Sequence, residues 1–144
     1  MAATVFQIYN KAKKAIGNGS IVLGTTALKM KLTTSASNAS TFTLSTFASI
    51  NGEISLRGGY AANGKALGGM VWTVGQSAKQ YKFGANNLVF TANGSALNNV
   101  KFAAVGVSGG RALCWSRLST AQFTVPTGST LTVVFSSSGV FTLS

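Results

Sequence analysis

Side chains that could move a proton or hold a metal are nearly missing from this sequence. It has no His and no Asp, a single Glu at position 53 and a single Cys at position 114. Paired carboxylates for general acid–base work cannot be assembled from one chain. A Ser or Cys nucleophile would lack the imidazole that activates it. Zinc asks for His or several Cys, and calcium for more carboxylates than one. Only Lys- or Tyr-based chemistry is left. The sequence therefore predicts a protein that is not an enzyme and carries no cofactor and no metal. Cys114 has no partner for an intrachain disulfide and reads as a small buried hydrophobe.

What the chain does offer is positive charge. Twelve Lys or Arg residues face one acid, for a net charge of +11. Charged residues are only 9% of the total, against a typical quarter, and the polar remainder is Ser, Thr, Asn and Gly. Lys11, Lys13 and Lys14 cluster near the start, and Lys29 and Lys31 alternate with apolar neighbours. These five lysines are the candidate partner contacts. A second basic run, Lys79-Gln80-Tyr81-Lys82-Phe83, interleaves charge with aromatic rings as single-strand nucleic-acid platforms do. The scatter of the other basic residues, and the core-like alternation of most aromatics, weigh against a nucleic-acid partner.

The elements that must position these residues follow from hydrophobic period. Val5, Ile8, Tyr9, Ala12 and Ile16 recur at helical spacing, which predicts a helix over residues 4–17. Thr4 would cap it, and Gly17 would supply the left-handed residue at its end. On that helix Lys11, Lys13 and Lys14 fall in the last half, at the negative end of the dipole. After Gly19 the period becomes two. Leu28-Lys29-Met30-Lys31-Leu32 alternates as a half-buried strand with both lysines on its outer face.

Further strands are expected around Phe42–Leu44, Met70–Val74, Tyr81–Phe83, Leu88–Thr91, Lys101–Val107, Leu113–Trp115, Thr130–Phe135 and Val140–Leu143. Phe47 and Ile50 suggest a short helical turn. Asn93-Gly94, Gly109-Gly110 and Pro126 to Gly128 punctuate the strands. Residues 33–41 read as a surface loop. The result is one domain spanning 1–144, a helix followed by about eight strands. Its fold class is an all-β antiparallel β-sandwich, jelly-roll or Ig-like, with one short N-terminal α-helix. Gly58-Gly59-Tyr60 through Gly64 lacks the helix and the Lys-Ser/Thr ending of a phosphate cradle, and reads as a loop needing positive φ. No signal peptide and no membrane helix is expected from the pattern.

Three segments in order resemble small structural proteins of tailed bacteriophages and prophages. The first is Ile8-Tyr9-Asn10, Ala15-Ile16-Gly17-Asn18-Gly19 and Ile21-Val22-Leu23, followed by Leu28-Lys29-Met30-Lys31-Leu32 and Thr33-Thr34-Ser35. The second runs from Glu53 through Gly58-Gly59-Tyr60 to Gly64-Lys65-Ala66-Leu67. The third is Phe123 to Thr132, closing on Gly139-Val140-Phe141-Thr142-Leu143. The chain departs from that family in its scarcity of acids, and in Val89-Phe90 where a tryptophan is often found.

The resemblance implies a virion structural protein, synthesised in the host cytoplasm. Its most natural role is a capsid decoration or cement protein on the outside of the shell, bound to the major capsid protein. The positive charge suits a negative shell, and a homo-oligomer, a trimer at threefold sites, matches the lattice. The alternatives are a tail, neck or host-attachment component, and a basic nucleic-acid-binding module.

Overall fold

The computed structural model describes residues 6–56, 58–61, 64–74, 81–135 and 139–143. The fold is all-β and antiparallel, with one short helix, in a sandwich-like arrangement around one hydrophobic core. Its largest sheet is built from β1 (Gln7–Ile8), β2 (Lys29–Thr33), β3 (Lys65–Ala66), β8 (Phe102–Gly106) and β9 (Ala112–Arg117), in the order β1-β9-β8-β2-β3. A second sheet has the order β12-β5-β4, from β4 (Val71–Val74), β5 (Tyr81–Gly84) and β12 (Phe141–Leu143). Two strand pairs complete the fold. β6 (Leu88–Thr91) pairs with β11 (Thr130–Val133), and β7 (Leu97–Val100) with β10 (Phe123–Val125). α1 (Asn10–Gly17) is the helix.

The helix is shorter than its hydrophobic period predicts. Gln7 and Ile8 are extended and pair with Trp115 and Cys114, and the Tyr9 N–H donates to Leu113 O at 3.1 Å. The edge of β9 thus takes backbone groups that a longer helix would have used. Tyr9, not Thr4, stands at the N-cap, with no side-chain cap bond. Thr4 and Val5 lie outside the described residues. At the other end Gly17 is still helical, and Gly19 supplies the left-handed residue at φ +83°. Because α1 begins at Asn10, Lys11 sits in its first turn and only Lys14 in its last.

β2 decides the character of the large sheet. Cross-strand partners share a face. Met30, Val105, Cys114 and Ile8 form one row, and Lys31, Ala104, Trp115 and Gln7 form the row on the opposite face. The first row joins the main core, with Met30, Val105 and Cys114 buried. The second row is covered at Lys31 and Ala104 and partly at Trp115, while Gln7 at its end is exposed, and the cover is the excursion that leaves β2 at Thr34 and returns at Gly52. That excursion is tied down by the Phe47 N–H donating to Gly110 O (3.0 Å) and the Ala112 N–H donating to Ser45 O (3.2 Å). Phe47 lies on Gly106, where a Cβ would stand 2.6 Å from its ring, so a glycine is required beneath it. Phe42 meets Trp115 edge-on at 5.8 Å. The Tyr9 hydroxyl donates to Ala39 O and pins the middle of the excursion.

Most expected strands are present, with small shifts at their ends. Thr41 to Leu44 is instead a turn, with the Leu44 N–H donating to Thr41 O at 3.2 Å. Thr46 to Ile50 makes the expected tight turn, with the Ile50 N–H donating to Phe47 O at 3.2 Å. β1, β3, β7 and β10 have no counterpart among the expected strands. β1, β3 and β10 are only two or three residues long, and β7 contains Asn99 at φ 62°, a conformation unusual outside glycine.

Candidate functional site

Three features could meet a partner. The first is α1. Its apolar side buries Ala12 and Ala15 against the fold, and Ile16 is half-buried. That leaves Lys11, Lys13 and Lys14 exposed on the outer side. Lys11 and Lys14 are three residues apart and share a face. None of the three side chains makes a hydrogen bond or ion pair with a described residue. The helix dipole accounts for Lys14, in the last turn, but opposes Lys11, at the positive end.

The strand lysines are different. Lys29 is half-buried, at the mouth of β2. Lys31 is only 3% exposed, which corrects the expectation that both lysines project outward. The face that alternation assigns to solvent is covered by Phe47 and Ile50. The Lys31 ammonium donates to Phe47 O at 3.0 Å and Ile50 O at 3.4 Å, and it stands 4.3 Å from the centroid of the Phe47 ring. Burial pulls its pKa below the ordinary 10.5, and the charge of Glu53 partly opposes that fall. Lys31 is thus a structural clamp between β2 and the excursion, and it is removed from the set of partner contacts.

Behind this clamp lies the chain's one carboxylate. Tyr60 donates its hydroxyl proton to Glu53 Oε2 at 2.7 Å and accepts the Leu32 N–H at 2.9 Å. Burial, reinforced by the hydrogen bond to Glu53, raises the phenol pKa far above its usual value. Tyr60 therefore stays protonated, and its hydroxyl is committed to holding the segment after Glu53 against β2. Cys114 is fully buried, and burial raises its thiol pKa well above the ordinary range. Of the residues that could do chemistry, Lys31, Tyr60 and Cys114 are all packed inside. Among the described residues, no group of His, Cys, Asp and Glu is placed to hold a metal ion. No helix of the described residues is long and apolar enough to cross a membrane.

The second feature is a cavity of about 380 Å³ between β6 and the glycine-rich segment, with Tyr60, Phe90 and Leu97 in its wall and Lys65 beside it. Gly58, Gly59 and Gly64 all have positive φ, as the reading of this segment as a loop requires. At Gly64 a Cβ would stand 1.8 Å from Met30 O, so the backbone there must lie flat on β2. No local pattern in the sequence marks this cavity. Its walls come from β3, β6 and β7, and two of those strands were not expected.

The third feature is an exposed aromatic pair. Trp72 on β4 and Tyr81 on β5 stack at 5.7 Å with an interplanar angle of 24°. Phe83, the last residue of the basic–aromatic run, is fully buried in the core. Lys79 and Gln80, which open that run, lie outside the described residues. The run therefore does not present its aromatics as one continuous platform.

No family model matches the chain, and neither a curated protein nor a solved structure does so.

Proposed function

We propose that this chain is a non-enzymatic structural protein that docks through the lysines of α1 onto an acidic protein surface. The observation that carries the proposal is Lys11. A cation in the first turn of a helix works against the dipole, so it is not there for helix stability. With Lys13 and Lys14 it makes a fixed, exposed positive face on an element anchored by Ala12 and Ala15. Such a face steers encounter and sets orientation, while affinity would come from apolar contacts around it. Val22, just beyond the helix, and Phe42, whose carbonyl accepts the Asn10 N–H at 3.1 Å, are both exposed enough to provide them.

The particular surface is the outer face of a phage shell, with the chain acting as a decoration or cement protein on the major capsid protein. This part rests on the three ordered segments that resemble phage structural proteins. A shell role requires many copies, and closed cyclic symmetry makes a trimer the natural form.

The test has two arms. Purified particles should carry this chain in numbers comparable to the major shell protein, by band stoichiometry. A count of only about ten per particle would move it to the tail or neck. Replacing Lys11, Lys13 and Lys14 together with Glu should abolish binding to shells lacking the chain, with the thermal midpoint nearly unchanged. Undiminished occupancy would remove α1 from the interface.

A further inference from the structure

We propose that the outer edge of β6 is a docking strand for an extended, acidic segment of a partner polypeptide. This goes beyond the reading of α1 and does not depend on it.

Among the described residues β6 has one ladder partner, β11, and Gly59 lies beside its outward edge at the Thr91 carbonyl end, where an added Cβ would stand 3.5 Å from Thr91 O. The register of β6 with β11, and the Ala92 N–H donating to Ser129 O at 2.9 Å, fix where its backbone groups point. Leu88, Phe90 and Ala92 turn theirs toward β11, so Val89 and Thr91 turn theirs away. Asn93, next in the alternation, spends its outward N–H on Gly58 O at 3.0 Å. Among the described residues, no backbone hydrogen bond outside the β6–β11 ladder reaches the N–H of Val89 or Thr91. The Val89 carbonyl is met by a side chain, with Lys65 Nζ donating to it at 2.7 Å. An ammonium thus stands where the N–H of a neighbouring strand would be.

The space beside this edge suits an occupant. The cavity of about 380 Å³ falls in the size range of binding sites. Its wall includes the rings of Tyr60 and Phe90, with centroids 6.1 Å apart. An added strand would place alternate side chains on that apolar wall while its backbone pairs with Val89 and Thr91.

Charge selects the kind of strand. Lys65 borders the cavity and none of the described residues around it is a carboxylate. An incoming N–H would displace Lys65 from Val89 O, and a carboxylate on the incoming segment would then pair with the released ammonium. The rest of the chain, at +11, favours the same sign of partner. A lysine can also serve simply to guard an edge against pairing. A guard alone predicts no binding, which makes the two roles separable.

The probe is a fluorescein-labelled peptide of sequence Thr-Val-Glu-Val-Glu-Val-Thr, with a second peptide carrying Lys in place of Glu. Fluorescence polarisation reads binding, and amide hydrogen exchange reads location. The acidic peptide is expected to bind saturably and to slow exchange at Val89 and Thr91. Thr91→Pro removes an outward N–H and leaves the β11 side intact, and it should weaken binding about tenfold. Lys65→Glu, an exposed substitution that leaves the ladder untouched, should weaken it by at least as much. No binding, equal binding of the basic peptide, or protection confined to α1 would each overturn the proposal. So would full affinity in both variants.

Discussion

Both α1 and β2 carry lysines at regular spacing between apolar residues, yet those lysines end in opposite environments. On α1 the apolar side is used once, against the body of the fold, and Lys11, Lys13 and Lys14 keep their water. On β2 both faces are covered, and Lys31 is drawn inside with its charge satisfied by two carbonyls. The difference lies in what comes next in the chain. After α1 the backbone turns at Gly19 and leaves the outer side of the helix open. After β2 it lays residues 34–52 back across the sheet. A period states which side chains share a face, and says nothing about what a later segment will place on that face.

Removing the cover is the strongest way to break this contrast. Phe47→Ala deletes the ring that lies over Lys31 and on Gly106. The loss of a buried aromatic should cost about 3–5 kcal/mol, measured by urea unfolding. If the fold survives, water reaches Lys31, and its ammonium should titrate closer to the ordinary 10.5, followed by NMR of its ε-methylene protons. An unchanged titration would mean that Phe47 is not what desolvates Lys31.

Replacing the clamp itself has a smaller effect with a definite dependence on pH. Lys31→Met fills much the same volume but leaves Ile50 O without that donor, while Phe47 O keeps the Ile50 N–H. The expected cost is about 1–2 kcal/mol at neutral pH. The sign of the trend follows from proton counting. Unfolded Lys31 holds its proton up to about its ordinary 10.5, and the folded residue releases it at lower pH. Between those values the unfolded chain binds more protons, so this residue's contribution to stability rises with pH. Tyr9, Tyr60 and Cys114 have raised pKa values that act in the opposite direction at alkaline pH, but they are common to both proteins. The gap between wild type and Lys31→Met should therefore widen as pH approaches 10.5. A gap that narrows would place the charged form, not the neutral one, as the better tenant of this site.

The same contrast marks how much was legible beforehand. Strands such as β6, β9 and β11 are runs rich in apolar and aromatic residues, and punctuation at Gly94, Gly109 and Gly128 marks one end of each, so sequence located them. The class of fold followed from these. β3 and β10 are held by partners brought from far along the chain, and a strand of Lys65–Ala66 has no pattern to detect. The lysines of α1 were readable as exposed because an amphipathic helix has one apolar side to bury. Lys31 was not, because its fate depends on Phe47 and Ile50, in a turn that was foreseen but could not be placed over the sheet. The edge of β6 was hidden for a similar reason. Local pattern identifies a strand but does not count its neighbours.

The finest distinction lies within α1 itself and concerns a few tenths of a kcal/mol. Lys11 stands at the positive end of the helix and Lys14 at the negative end, on one exposed face. If these residues served only the helix, both ends would carry the sign the dipole prefers. Lys11→Glu should therefore stabilise the isolated protein and Lys14→Glu should destabilise it, each by about 0.3–1 kcal/mol at low ionic strength. Thermal unfolding at low and high salt reads the pair, and salt should shrink both effects together. In docking, the two substitutions should act in the same direction, each weakening attachment to an acidic surface. A variant that gains stability and loses binding separates the two roles in one residue. If Lys11→Glu lowered stability as Lys14→Glu does, the position of Lys11 would owe nothing to a partner, and the argument that α1 is a contact face would lose its footing.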